Sequence, residues 1–203
     1  MKIEAKSRPR MRLFRSDALE RLTTFSPRAF ALTWLAILSI VLIAGWHRTS
    51  LGAAIGLVAA GLFGWTLFEY AMHRFMFHWK TQSRIFRSVV FITHGNHHVD
   101  TSDPYRNMMP PIISVPVSAA VWALCLLALG HAGSMLFLGF AIGYVLYDGI
   151  HYACHQFPMR GPILKQLRRH HILHHHAKRD GNYAITVILW DRVFGTRIPA
   201  KGR

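Results

Sequence analysis

Long apolar blocks, each ending near a cluster of histidines, constrain the fold of this chain more than any other feature. Four blocks have the length needed to cross a hydrocarbon core at about 1.5 Å of helical rise per residue. They cover residues 30–46, 51–72, 111–130 and 132–150. A soluble domain would spread its apolar residues along the chain, so the blocks predict an all-α integral membrane protein.

Two short connectors divide the four blocks into two helical hairpins. Residues 47–50 join the first pair and residues 130–133 join the second. Of the 24 Lys and Arg residues, 23 lie outside these connectors and only Arg48 lies within them. Because positively charged loops are retained on the cytoplasmic side, we expect both termini and the connection between the hairpins to be cytoplasmic.

Ten of the fourteen histidines lie at the predicted cytoplasmic ends of the blocks. The ten are His73 and His78; His94, His97 and His98; His151 and His155; and His171, His174 and His175. Neutral imidazole is a common ligand of transition metals. One zinc needs only three or four protein ligands, so ten histidines predict two metal ions with about five imidazoles each.

Helical geometry brings most of these histidines together. Residues at i, i+3 and i+4 share one helix face, which groups the histidines of HGNHH and those of HHILHHH. His73 and His78 are five residues apart and converge only if the helix ends or bends there, unless they bind different metals. The roles of His170 and His176 stay open, because the run of histidines permits a register shift.

Four further side chains are candidates for orienting the metal ligands. Glu69 precedes His73 by one turn and Asp148 precedes His151 by three residues, and a ligand histidine usually donates its other nitrogen to a carboxylate or carbonyl. Tyr144 and Tyr147 continue the stripe of His151, although anchoring at the membrane interface explains the tyrosines equally well.

The remaining segments are predicted to lie at the membrane surface. In residues 1–29, apolar side chains recur at helical spacing, and Asp17 with Glu20 resembles a capping box. This pattern predicts an amphipathic surface helix, with a disordered basic tail as the alternative. Residues 80–93 predict a re-entrant or interfacial helix, and a further helix is expected to begin near Ile163.

Small residues four apart predict close helix packing in the membrane. They are Gly52, Gly56, Ala60 and Gly64 in the second block, with Gly139 and Gly143 in the fourth. The net charge of +15 does not indicate nucleic-acid binding, because the basic residues flank the blocks without a recognition motif.

The motifs and carboxylates near the histidines limit which metal chemistry is plausible. The chain has no HExxH motif and few carboxylates near the clusters, which argues against a metallopeptidase. An ion transporter would need polar groups within the membrane blocks, whereas Glu69 and Asp148 are near block ends. Redox metal chemistry on a substrate from the membrane fits best.

Five motifs resemble the fatty acid hydroxylase and sterol desaturase superfamily of membrane diiron oxygenases, and within it the fatty acid 2-hydroxylases. They are FEYAMHRFMFH, THGNHH, GYVLYDGIHYACH, HHILHHH, and NYAIT followed by WDRVFGT. The resemblance covers about residues 63–197. It implies a four-helix membrane bundle with a cytoplasmic helical cap (73–110 and 151–203) in which the ten histidines bind two metals.

The resemblance also implies that O2 is activated and that oxygen is returned to a lipid C–H bond as hydroxyl. Iron is the expected metal, although imidazole accepts zinc as well. The 29-residue leader is too short for the haem domain fused to many eukaryotic relatives, so a separate electron donor protein is expected. The compact chain favours a bacterial cytoplasmic membrane over the endoplasmic reticulum.

Other functions stay open at this stage. The same histidines would serve a hydroxylase or desaturase of sterols or carotenoids, because the metal-binding motifs do not identify the lipid. A non-enzymatic membrane protein that binds or handles metal is the remaining alternative.

Overall fold

Helices form the whole framework of this protein. The computed structural model describes residues 11–199, and this part of the chain contains no β-strand. Its helices are α1 (Asp17–Leu22), α2 (Pro27–Trp46), α3 (Leu51–Ala71), α4 (Arg84–Val90), α5 (Asn96–Val99), α6 (Pro111–Leu129), α7 (Gly133–Gln156), α8 (Pro162–His176) and α9 (Leu189–Val193). The predicted all-α class is confirmed.

Four long helices correspond to the four apolar blocks. By length and composition, three helical stretches could cross a membrane: Pro27–Trp46, Leu51–Phe77 and Pro111–Gln156. The third contains both α6 and α7, which are separated by the 3₁₀ turn Gly130–Ala132. The indole of Trp122 donates to Ser134 Oγ at 3.1 Å across this turn, so α6 and α7 form a hairpin. Helix α7 packs against α2, α3 and α6 and is the centre of the group.

Close contact between α3 and α7 depends on Gly139 and Gly143 of α7, as predicted, and on Gly61 of α3, which was not predicted. A Cβ on Gly61 would overlap the backbone of Leu136, and a Cβ on Gly139 would overlap the backbone of Val58. Gly52, Gly56 and Gly64 instead have open space where a Cβ would lie, so the prediction for the second block was wrong. Positions four apart drift around an α-helix, whereas a seven-residue separation stays nearly in register, as in Ala54 and Gly61.

The N-terminal segment folds back on itself and forms only a short helix. Ser16 is the N-cap residue of α1, and the Glu20 carboxylate accepts from the backbone N–H groups of Leu13 and Phe14 at 2.9 Å each. The predicted capping box of Asp17 and Glu20 is therefore absent, and the expected longer helix is limited to α1. Residues 1–10 of that prediction lie outside the described residues.

The remaining helices lie near the C-terminal ends of α3 and α7. Helix α4 occupies part of the predicted interfacial segment and leaves the side chain of Ile85 75% exposed. Helix α8 begins at Pro162, after Gly161 with a φ of +86°, close to the predicted start. Proline fits the first turn because its missing N–H would have no helical partner there.

Candidate metal centre

The ten clustered histidines converge on two adjacent sites. Within each site, one potential ligand atom from every histidine lies within 4.8 Å of all the others. Site A contains His73, His78, His94, His98 and His174, and site B contains His97, His151, His155, His171 and His175. The division into two groups of five matches the number inferred from the sequence.

A π-helical turn explains how His73 and His78 reach the same site. Residues Met72–Phe77 at the end of α3 form this turn, and π-helical hydrogen bonds join residues five apart. The five-residue spacing therefore places both imidazoles on one side. The sequence indicated that the helix had to end or bend here, and the wider turn is the form that this departure takes.

Two other helical segments each supply both sites. His94 and His98 point to site A while His97 points to site B; on α8, His171 and His175 serve site B while His174 serves site A. Residues four apart share a site and the intervening residue enters the neighbouring one. The two sites are consequently side by side, with the rings of His98 and His175 only 4.2 Å apart between centroids.

The protonation of the ring nitrogens excludes a direct hydrogen bond between His73 and His174 of site A. In site A, Nε2 of His73 lies 3.1 Å from Nε2 of His94 and 3.0 Å from that of His174. Nδ1 of His73 and of His174 face backbone carbonyls, which can only accept, so these Nδ1 atoms carry the proton. Their Nε2 lone pairs therefore face one another, which is the arrangement that a shared cation stabilises.

Burial keeps the site histidines outside the membrane helices ready to bind metal. It lowers the pKa of His98 to about 3 and that of His174 to about 4, and it lowers the pKa of His171 well below its ordinary value. An imidazole must be neutral to donate its lone pair to a metal. The all-imidazole donor set suits iron and zinc alike, so the residues fit the expected metals.

Asn107 orients two histidines of site B. Its side-chain oxygen accepts from Nδ1 of His97 at 3.0 Å, and its backbone carbonyl accepts from Nδ1 of His151 at 2.8 Å. Its amide also donates to the carbonyl of Thr101 at 3.1 Å, which fixes the side chain. The sequence analysis missed Asn107, because no helical spacing relates this loop residue to the histidines.

A buried turn after α8 orients two histidines of site A. The carbonyl of Gly181 accepts from Nδ1 of His174 at 2.8 Å, and that of Tyr183 accepts from Nδ1 of His73 at 2.5 Å. Asp191 holds this turn by accepting from the backbone N–H groups of Tyr183 and Ala184 at 2.9 and 2.8 Å. Asp191 was not predicted either, although it belongs to the WDRVFGT motif.

His170 and His176 do not belong to either site. Nε2 of His170 lies 2.9 Å from the carboxylate of Asp191, so His170 supports the turn that carries Gly181 and Tyr183. His176 is exposed at the end of α8. The sequence left open whether His170 and His176 are metal ligands. Both rings lie on faces of α8 that point away from the two sites.

Glu69 contacts no histidine and instead anchors the C-terminal segment to α3. One carboxylate oxygen accepts from the backbone N–H groups of Ile185 and Thr186 at 2.7 and 2.8 Å. The other accepts from the Thr186 hydroxyl at 2.6 Å and from the indole of Trp65 at 3.2 Å. The expected contact with His73 is absent because the ring already faces the Tyr183 carbonyl.

Asp148 acts on the site through the loop that contains Asn107. Its carboxylate accepts from the backbone N–H of Met109 at 3.0 Å and from the Tyr144 hydroxyl at 2.9 Å. The sequence predicted that this carboxylate would accept from His151. It does not, because the Asn107 carbonyl takes that position. Tyr147 stacks parallel to His151 with 6.0 Å between ring centroids.

An apolar cavity of about 80 Å³ lies between α3, α6 and α7 and is separated from the histidines by aromatic side chains. Its walls include Met72, Val117, Val121 and Phe140, with Glu69, Ser114, Ser118 and the tyrosines as polar groups. Phe77 lines it and stacks on His94 of site A at 5.2 Å, while Tyr147 lines it and stacks on His151 of site B. This apolar lining suits an apolar ligand held next to both sites.

Comparisons of the sequence and of the structure with known proteins both find fatty acid hydroxylases. The sequence model described as fatty acid hydroxylase matches residues 58–196. The dihydroceramide fatty acyl 2-hydroxylase FAH2 of Arabidopsis thaliana is 36% identical over 187 residues, which cover 91% of this chain and 79% of that protein. The ceramide very long chain fatty acid hydroxylase scs7 of Schizosaccharomyces pombe is 36% identical over 89% of this chain and 53% of its own length.

A solved structure has the same fold. It is described as full-length scs7p with only the hydroxylase domain visible, and it aligns with a TM-score of 0.85 and 31% sequence identity. The alignment covers 94% of this chain and 73% of that one. The two relatives named above come from a plant and a yeast, so they give no support to the expected bacterial membrane.

Proposed function

This chain belongs to the fatty acid hydroxylase family, and we propose that it is a membrane enzyme that hydroxylates fatty acyl chains at carbon 2, using two iron ions in sites A and B. The observation that carries the proposal is that two residues lining the apolar cavity, Phe77 and Tyr147, each stack on one histidine, Phe77 on a histidine of site A and Tyr147 on one of site B. A lipid chain in the cavity would present a C–H bond beside both metals.

The ten histidines are the proposed ligands, five for each metal. Iron bound there would supply the redox chemistry that activates O2 for attack on an unactivated C–H bond. The overall reaction consumes the lipid, O2, two electrons and two protons, and it yields the hydroxylated lipid and water. Zinc could occupy the same imidazoles in purified protein without supporting this oxidation.

The protein's own residues have positioning and shielding roles. The carbonyls of Gly181 and Tyr183 and the side chain of Asn107 hold the Nδ1 protons, so the Nε2 atoms stay free for metal. Apolar cavity walls would exclude water, and the protons it supplies, from the space next to the sites, which limits side reactions. Phe77 and Tyr147 limit how closely the chain approaches each site.

Two electrons must come from a separate donor protein in this proposal. An open cleft exposes the imidazole edges of His78, His98 and His175 at the surface of the cap. A donor placed over this cleft would have a short path for electron transfer to either site.

We further propose that α2, α3, α6 and α7 all cross the membrane, with both termini and the cap in the cytoplasm. The charge imbalance supports this arrangement, since 23 of 24 basic residues flank the cap side of the helices. Cytoplasmic exposure would bring the cleft within reach of reductant.

Paired lipid and metal analysis tests the proposal. Cells that express the chain should accumulate 2-hydroxylated acyl lipids only in air, and the purified protein should contain close to two irons. His174→Ala and His175→Ala should each lose one metal, from site A and site B respectively, and both should abolish product. A protein with stable zinc and no oxygenated lipid under iron-replete reducing conditions would be a metal-binding protein instead, and a hydroxylated sterol would change the substrate.

A further inference from the structure

A second groove, separate from the cavity, lies on the outside of the cap between the N-terminal segment and α4. It is open and has a volume of about 630 Å³. Leu13 and Phe14 form one wall, and Phe91 and Ile92 form part of the other. Arg84 and Arg87, one turn apart on α4, also line it. The groove thus combines apolar walls with two guanidinium groups.

The two arginines have no carboxylate partner within residues 11–199. The sequence contains no Asp or Glu between Tyr70 and Val99. The two acidic side chains between residues 11 and 29 pair with other residues, Asp17 with Arg12 and Glu20 with Arg106. The groove therefore has positive charge that nothing in the described chain neutralises.

Apolar side chains beside the groove are unusually exposed. Ile85 and Phe86 on α4 are 75% and 47% exposed, and Phe75 and Trp79 just before it are 64% and 43% exposed. A surface that alternates exposed apolar and basic side chains is typical of helices that lie in the headgroup region of a membrane. Water alone would leave this surface poorly solvated.

We propose that this groove binds one anionic phospholipid. Arginine binds phosphate with paired N–H donors, so Arg84 and Arg87 would hold the phosphate group. Leu13 and Phe14 would contact the upper part of an acyl chain. The lipid would thereby connect the N-terminal segment to α4, which leads through the π-helical turn Phe91–Gly95 to His94.

Lipid titration of the purified full-length chain, followed by native mass spectrometry, tests this proposal. Phosphatidylglycerol should bind more tightly than phosphatidylcholine with the same acyl chains. Each basic residue near an anionic surface contributes about fivefold to binding, so R84Q/R87Q should weaken phosphatidylglycerol binding about 30-fold. Phosphatidylcholine carries the same phosphate but no net charge, so its weaker binding should fall less than that of phosphatidylglycerol, and metal content should stay at the wild-type value as evidence of folding.

A matched control removes two positive charges elsewhere on the cap. Arg160 and Lys165 are exposed and lie outside the groove, so R160Q/K165Q should bind phosphatidylglycerol as the wild type does. L13A/F14A should weaken lipid binding without changing the affinity for soluble glycerol phosphate. The proposal is overturned if R84Q/R87Q behaves like the control, or if glycerol phosphate displaces the lipid at equal concentration. Metal content serves only as a check of folding and turnover is not measured, so the outcome is independent of the proposed hydroxylase activity.

Discussion

The side-chain oxygen of Asn107 lies 3.0 Å from Nδ1 of His97, and this contact ties an irregular loop to the metal centre. The same residue holds His151 through its backbone carbonyl. Site B therefore depends on one loop residue for the orientation of two ligands, whereas site A depends on the turn that contains Gly181 and Tyr183. The separate supports predict that the two metals can be lost independently.

Replacing Asn107 by Ala should weaken site B and leave site A loaded. Loss of a hydrogen bond that orients a metal ligand typically lowers metal affinity 10- to 100-fold. We expect metal content to fall from two toward one per chain on dialysis against a weak chelator, measured by mass spectrometry of the metal. Asn107→Asp keeps an acceptor and should retain more metal. Gln156→Ala, which removes an exposed contact to Ser102, is the control, and equal loss of both metals in Asn107→Ala would contradict the prediction.

His170 and His176 should differ sharply when each is changed to Ala. His170→Ala removes the partner of buried Asp191, which should lower the free energy of unfolding by about 1–3 kcal/mol. It should also loosen the turn that orients His73 and His174, so site A loses metal more readily. His176→Ala changes an exposed ring and should affect neither property. Thermal unfolding with metal analysis measures both effects, and metal loss in His176→Ala would mean that the ligand set is wrong.

Two glycines of α3 offer a test of how the membrane helices pack. Gly61→Leu would force a side chain into the backbone of α7 and should lower the free energy of unfolding by about 1–3 kcal/mol or more. Gly56→Leu places the same side chain in open space and should be close to neutral. Thermal unfolding in a single detergent compares the pair. Similar losses in both variants would indicate that the predicted stripe also packs against another molecule.

The comparison of sequence with structure shows which kinds of contact a sequence can reveal. Regular spacing identified the ten histidines, because helix geometry relates residues three and four apart. The convergence of His73 and His78 could be stated only as a condition, since nothing in the residues themselves specifies a π-helical turn. Glu69 and Asp148 were recognised as important, but their partners were not.

The hydrogen-bond partners of Glu69 and Asp148 lie in loops that are distant in the sequence. Glu69 binds Ile185 and Thr186, more than a hundred residues later, and Asp148 binds Met109. A ring N–H donates to a carbonyl as readily as to a carboxylate, so the acidic residue nearest in sequence need not be the hydrogen-bond partner of the histidine. Loop carbonyls carry no side-chain signal, which is why the contacts of Gly181 and Tyr183 could not be predicted.

The cavity predicts a selective effect of Ser118→Phe. Ser118 lies on α6 and lines the apolar cavity, whose walls contain no histidine, so a benzyl group there would occupy the space proposed for the lipid chain. We expect both metals to be retained while hydroxylation of long acyl chains falls at least tenfold and shorter chains are affected less. Leu124→Phe, on the same helix but 64% exposed, adds similar volume outside the cavity and should be active. Product analysis over a series of acyl-chain lengths tests this prediction. If Ser118→Phe is as active as the wild type on every chain length, this cavity is not the lipid site.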